Sequence, residues 1–235
     1  MLAFRTIAAE NKKMQSRQHI VIAIDGPAAS GKSSVARELA RRFGFVYVNS
    51  GAMYRAVTWR LLQCGIDPRD RAAIERQVGT FRIRSEVRAR QSCIFVDEID
   101  PGDHLRDAEV NQNVSLVSSV PRVRQVLVEK MREYARDDDL VMEGRDIGSV
   151  VFPNTPFKFY IDASPEIRSQ RRAAQGQSDE IASRDRADSS RPTSPLIVAR
   201  DAEVIDTSKM SINQVVDEIV ARLNLKNLTI ENRNR

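Results

Sequence analysis

The chain has 235 residues, 41% of them apolar, and a formal net charge of +5; that length holds one sizeable α/β domain with an insertion, or two small domains. No apolar run approaches the ~20 residues that cross a bilayer, and the opening MLAFRTIAAENKKMQSRQ lacks the apolar core and cleavage site of a secretory leader, so a cytoplasmic protein with no membrane partner is expected. Two cysteines, Cys64 and Cys93, and two isolated histidines, His19 and His104, argue against a disulfide framework or a zinc centre.

Residues 1–18 are polar, mixed in charge and without periodicity, which reads as a disordered tail or an over-extended start with Met14 as the alternative. HIVIAID (19–25) is a short β-branched run bounded by glycine, the look of a buried parallel strand. FVYV (45–48), DLVME (139–143), FKFYID (157–162) and AEVID (202–206) repeat that look. Helical patterns fall between them: 33–43, with Val35, Leu39 and Phe43 on one stripe and Gly44 as the stop; 51–63; 105–118; 121–136, opened by Pro121; 165–175; and 211–223, opened by Ser211. Strands alternating with helices predict a three-layer α/β/α fold around a five-stranded parallel sheet.

Residues 79–103 break the rhythm. FRIRSEV and SCIFVDEI alternate apolar with polar positions, which predicts a half-exposed antiparallel pair inserted beside the sheet. The segment 175–195 is irregular and mixes Arg184, Arg186 and Arg191 with Asp, Ser and Gly, as a mobile cover would. The core is therefore expected at 19–78 and 104–223, with a short lid at about 175–191 and a C-terminal tail at 224–235.

Gly26, Pro27, Ala28, Ala29, Ser30, Gly31, Lys32 and Ser33 satisfy the phosphate-loop pattern G-x-x-x-x-G-K-[ST], and Ser34 follows. A buried strand ends just before the loop and an amphipathic helix begins within it, so backbone N–H groups and the positive helix end converge on one anion. Lys32 would meet the β- and γ-phosphates of a nucleotide, and the Ser33 hydroxyl would ligate Mg²⁺. Two later strand ends present further candidates: Ser50 and Arg55 in NSGAMYR, and Glu143, Arg145 and Asp146 in MEGRDIGS. Two arginines converging beside a triphosphate form a clamp for a second phosphate-bearing molecule. Seven of the 37 basic residues are lysines, which leaves thirty arginines; this suits phosphate recognition, although solvated helix faces have the same composition.

IDGPAASGKSSVARELA, SGAMYRA, PRVR, EGRDIGSVVFP, FYIDASPEIRSQRR, RDRADSSR followed by SPL, and VIDTSKMSINQVVDEI occur in order from about residue 20 to 223. In this set the chain resembles the bacterial cytidylate kinases. The resemblance implies a P-loop nucleoside monophosphate kinase that phosphorylates CMP and dCMP with Mg-ATP, acts as a monomer and has no nucleic-acid partner. It further implies that Gly26 to Ser34 hold the ATP phosphates and that Ser50 and Arg55 contact the acceptor phosphate. Arg145 and Asp146 would clamp the acceptor, Ser115 and Arg124 read cytosine, and Asp188 holds the ribose. Arg191 would make a further nucleotide contact, Arg184 would reach the transferring phosphoryl group from the lid, and 79–103 would be the monophosphate-binding insertion. Catalysis is assigned to Lys32, Arg145 and Arg184, and the metal to Ser33 with Glu143. Asn49 stands where the family often has Asp, and the stretch from Arg172 to Arg184 is short for the family.

Rival readings are another small P-loop kinase, a basic nucleic-acid-binding protein and a GTPase switch. The arginines cluster after strand ends without interleaved aromatic residues, which disfavours the second, and no Asn-Lys-x-Asp segment supports the third.

Overall fold

The computed structural model describes residues 19–174, 181–191 and 193–229. The expected tail at 1–18 and the first part of the expected lid, 175–180, lie outside the described residues. The strands are β1 (Val21–Asp25), β2 (Val46–Asn49), β3 (Ile83–Arg88), β4 (Gln91–Val96), β5 (Leu140–Gly144), β6 (Phe157–Asp162) and β7 (Glu203–Asp206). The helices are α1 (Lys32–Phe43), α2 (Ser50–Gln63), α3 (Arg71–Val78), α4 (Ala108–Ser118), α5 (Pro121–Asp137), α6 (Pro165–Ala174), α7 (Ile181–Ser189) and α8 (Ile212–Leu225). A 3-10 turn at Gly102–Arg106 and a π turn at Ile147–Val151 complete the set.

The alternation of side chains along a strand explains the layering. In β1, Val21 and Ala23 enter one apolar cluster while Ile22 and Ile24 enter another on the opposite face. The first cluster packs β1, β2 and β5 against α2, α3, α4 and α5 through Met53, Leu61, Ile74, Val114, Leu127 and Met131. The second packs β1, β6 and β7 against α1 and α8 through Val35, Leu39, Phe43, Val216, Ile219 and Leu223. A sheet covered on both faces needs strands that are apolar throughout, which is what β1 and β5 provide.

Five parallel strands in the order β2-β5-β1-β6-β7 make the expected core. The sheet has seven strands, however, because the hairpin β3/β4 joins it at the β2 edge. Ala89 and Arg90 turn the hairpin with positive φ at both positions, and β4 meets β2 at the pair Tyr47↔Gln91. The half-exposed alternation read from 79–103 is that of an edge strand, so the hairpin extends the sheet and does not stand beside it.

Other boundaries shift. The helix expected at 105–118 starts at Ala108, after the 3-10 turn. α3 was not foreseen; Asp70 caps it by accepting the Ala73 N–H at 2.9 Å, and it buries only Ile74 and Val78. The segment read as irregular contains α7. α8 runs to Leu225, and Leu228 is buried, so the C-terminal end packs further along than the expected tail at 224.

Candidate active site

The loop between β1 and α1 is shaped by backbone freedom. Gly26 has φ 154°, and a Cβ there would sit 2.0 Å from the Ile161 carbonyl oxygen. Gly31, the N-cap of α1, has φ 94°; it provides no capping side chain, and the first turn of α1 has no carboxylate. The positive end of α1 is therefore left for an anion. Lys32 is buried and donates from Nζ to the Pro27 carbonyl oxygen at 2.9 Å.

Two arginines of α6 hold this loop through its carbonyl oxygens. Arg168 donates to the Ala163 carbonyl oxygen at 3.0 Å and to that of Ala28 at 3.3 Å, and it pairs with Asp185 of α7 at 2.7 Å. Arg171 donates to the Ser30 carbonyl oxygen at 3.1 Å and to the Thr207 carbonyl oxygen at 2.8 Å, while Thr207 Oγ1 donates to Ser30 O at 2.8 Å.

The loop opens onto a cleft of about 520 Å³ at the carboxyl ends of β2 and β5, a size suited to a ligand of nucleotide dimensions. Residues Ala28 to Ser34 line one part of it. Ser50, Arg55, Ser115, Arg124, Glu143, Arg145, Asp146, Asp188 and Arg191 line the rest, so most of the residues singled out in the sequence meet around one cavity. Gly26 and Pro27 do not line it and act on the loop's shape. Arg184 belongs to α7, but its side chain lies outside what is described. No residue of 79–103 lines the cleft; the hairpin instead braces the elements behind it, with Tyr134 Oη donating to the Cys93 carbonyl oxygen at 3.0 Å and Arg60 Nε to Asp97 at 2.8 Å.

Among the described lining residues seven side chains are basic and three acidic, which favours an anionic occupant. The acids are all engaged. Glu143 accepts from Tyr47 Oη at 3.0 Å. Asp146 is ion-paired with Arg124, whose guanidinium also lies 5.3 Å from the centre of the Tyr54 ring. Asp188 takes Arg145 Nε at 2.7 Å on one oxygen and Arg191 on the other. Arg55 Nε donates to Asn111 Oδ1 at 3.3 Å, and Ser50 Oγ donates to the Glu143 carbonyl oxygen at 2.8 Å, closing α2 onto β5. Burial pushes Tyr54 up and Arg191 down from their ordinary pKa values.

Asn49 is the N-cap of α2, accepting the Ala52 N–H at 3.0 Å, and its amide donates to Tyr47 Oη at 3.3 Å. It lines the cleft, at the position where the family often has Asp. Tyr54, Ser118, Arg171, Arg172 and Thr207 also line the cleft and were given no role from the sequence. Arg168, Arg171 and Arg172 share one helix face at i, i+3 and i+4, a spacing that could have marked them.

For a divalent cation, the cleft offers the Ser33 hydroxyl and the Glu143 carboxylate. Among the described residues no cluster of three His, Cys, Asp or Glu side chains is poised to hold a metal. Sparse hard oxygen donors fit Mg²⁺, which keeps waters and takes much of its shell from substrate phosphates.

A glycine-shaped loop that feeds an uncapped helix at the carboxyl edge of a parallel sheet, beside a basic cleft, defines a P-loop nucleotide-binding α/β protein. The family model described as "Cytidylate kinase" matches residues 22–225. The chain is 43% identical over 214 residues to the cytidylate kinase of Pelotomaculum thermopropionicum, covering 86% of this chain and 95% of that one. It is 44% identical over 213 residues to that of Mycobacterium leprae, covering 86% and 94%. The chain belongs to the cytidylate kinase family and is a kinase. Among solved structures, the shikimate kinase of Acinetobacter baumannii matches with a TM-score of 0.45 at 16% identity, over 89% of this chain and 94% of that one. Among the described residues no helix is long and apolar enough to cross a membrane.

Proposed function

We propose that the protein transfers the γ-phosphoryl group of Mg-ATP to CMP or dCMP, giving ADP and the diphosphate. The observation that carries this reading is the convergence of Lys32 with Arg55 and Arg145 on one cleft, within a chain of the cytidylate kinase family. The acceptor is a phosphate whose second pKa is near 6, so at neutral pH its oxygen is already a nucleophile and no catalytic base is needed. The protein's contribution is to hold donor and acceptor in line and to neutralise charge in a loose transition state.

In this reading residues Ala28 to Ser34 cradle the donor phosphates on a loop shaped by Gly26 and Pro27, and Lys32 follows the charge that develops on the transferring group. Ser50 and Arg55 hold the acceptor phosphate and Arg145 shares that task. Asp146 joins Arg145 in the acceptor clamp, Ser115 and Arg124 face the base, Asp188 holds the sugar and Arg191 makes a further nucleotide contact. Arg184 would reach the transferring group from α7. Ser33, with Glu143 behind it, would hold Mg²⁺, which when bound would neutralise phosphate charge during the transfer. The Tyr47 hydroxyl keeps Glu143 aimed at the cleft. The hairpin β3/β4 braces the elements of the acceptor side from behind. The enzyme would work in the cytoplasm as a monomer, on free nucleotides and not on nucleic acid.

The test is ADP release with Mg-ATP against CMP, dCMP, UMP, AMP and shikimate. Turnover with CMP and dCMP well above the rest is expected; turnover confined to UMP or shikimate overturns the acceptor assignment. Cytosine and uracil differ by an exocyclic amino donor, and a buried polar partner left unmet discriminates strongly, so Arg124→Ala should also blunt the preference for CMP over UMP.

A further inference from the structure

Asp25 is a buried carboxylate to which the proposed chemistry assigns nothing. It is the last residue of β1, directly before Gly26 of the phosphate loop, it is 5% exposed, and it does not line the cleft. Its two oxygens accept two consecutive main-chain N–H groups, Ile147 to Oδ1 and Gly148 to Oδ2, each at 2.8 Å. Those N–H groups open the π turn that follows Arg145 and Asp146, the residues the cleft takes from the end of β5.

We propose that Asp25 is a positioning residue for the acceptor clamp, holding the turn behind Arg145 and Asp146 in fixed register with the phosphate loop through its paired main-chain hydrogen bonds. The inference rests on the functional reading above, since it is the acceptor that the clamp would hold.

Three features support it. The bond pattern is bidentate, so it fixes the orientation of the turn as well as its distance from β1. The turn has little freedom elsewhere: a Cβ on Gly148 would lie 3.1 Å from Lys158 Cδ and 3.4 Å from Asp25 Oδ2, and one on Gly144 would lie 2.5 Å from Ser50 Oγ. Lys158, the neighbouring cation, is committed elsewhere, with Nζ on the Pro153 carbonyl oxygen at 2.6 Å and on Asp201 at 2.8 Å. The two N–H groups of the turn, with Arg145 nearby, are what faces the Asp25 carboxyl. A carboxylate in such a place is costly, and burial lifts its pKa to about 7 despite both N–H donors. Costly buried groups next to a site are characteristic of function.

The experiment compares wild type with Asp25→Asn and Asp25→Ala at pH 8. Asn keeps the shape but turns an NH₂ toward one of the two N–H groups, while Ala removes both acceptors. The expected result is a rise in KM for CMP on the order of tenfold in both variants, with KM for ATP within about twofold of wild type. Amide hydrogen exchange of a peptide spanning 145–151 should quicken in the folded Asn variant. If the variants lose thermal stability while both KM values stay at wild type, Asp25 only supports the fold and the inference is overturned. If wild type itself does not turn over CMP, the functional reading falls and this inference with it.

Discussion

Arg145 Nε and Asp188 Oδ2 lie 2.7 Å apart, a bond that joins the end of β5 to helix α7. Asp188 holds Arg191 with its other oxygen, and the two guanidinium side chains are only 19% and 8% exposed. Removing a shared buried counter-ion strands both cations, at a cost of about 3 kcal/mol. Asp188→Ala should therefore lower stability in urea by that order and raise KM for CMP. A variant as stable as wild type would show that α7 does not depend on this network.

Lys32 rests on the Pro27 carbonyl oxygen at 2.9 Å, within the loop it serves. Lys32→Met keeps much of the buried stem and loses the ammonium. Loss of a preorganised charge at a transferring phosphoryl group should cut kcat by roughly 10²–10³-fold, with far-ultraviolet circular dichroism unchanged. Lys32→Arg should restore little, because a planar fork does not replace a compact point charge in so tight a loop.

Asp25 makes stability depend on pH in a direction opposite to most carboxylates. Its pKa is raised from 3.8 to about 7, chiefly by burial, so the native state binds the proton more tightly than the unfolded chain does. Its stabilising contribution is complete below pH 3.8 and is lost as pH rises through about 7, a swing on the order of 4 kcal/mol. Between pH 4.5 and 8 the melting temperature of wild type minus that of Asp25→Asn should fall steadily. A flat difference across that window would contradict the buried, proton-holding carboxyl.

Gly26→Ala tests the loop's backbone. The new Cβ would sit 2.0 Å from the Ile161 carbonyl oxygen at a φ of 154°, so either the loop or β6 must move. A loss of stability of about 2 kcal/mol together with a weaker KM for ATP is expected, whereas a wild-type KM for ATP would mean that the loop absorbs the methyl group without moving its phosphate-facing N–H groups.

The sequence made the parallel core legible because a run such as HIVIAID must be apolar on both faces to lie between helices. It made much of the cleft legible because Gly26 to Ser34, Arg55 and Arg145 follow strand ends, where α/β folds place ligands. It did not tell that β3 and β4 join the sheet, since alternation looks the same in an edge strand as in a free hairpin. α3 escaped because its whole apolar signal is Ile74 and Val78. The pairings Arg124 with Asp146 and Arg145 with Asp188 link positions 22 and 43 residues apart, and no local pattern encodes such partners. Asp25 was hidden for a related reason: within a buried strand its carboxyl has no visible partner until the turn at 147 folds over it.

The hairpin is zipped internally by six residue pairs but is in ladder register with β2 at one. Such unequal stitching makes that seam the place where the sheet comes apart first under thermal fluctuation or pulling. Strands β3 and β4 would loosen together as one flap, still held to the body by Ile83, Ile94 and Val96 in the first apolar cluster, and because the Asn49 N–H donates to Ser92 Oγ of β4 at 3.4 Å, that loosening would reach the rim of the nucleotide cleft.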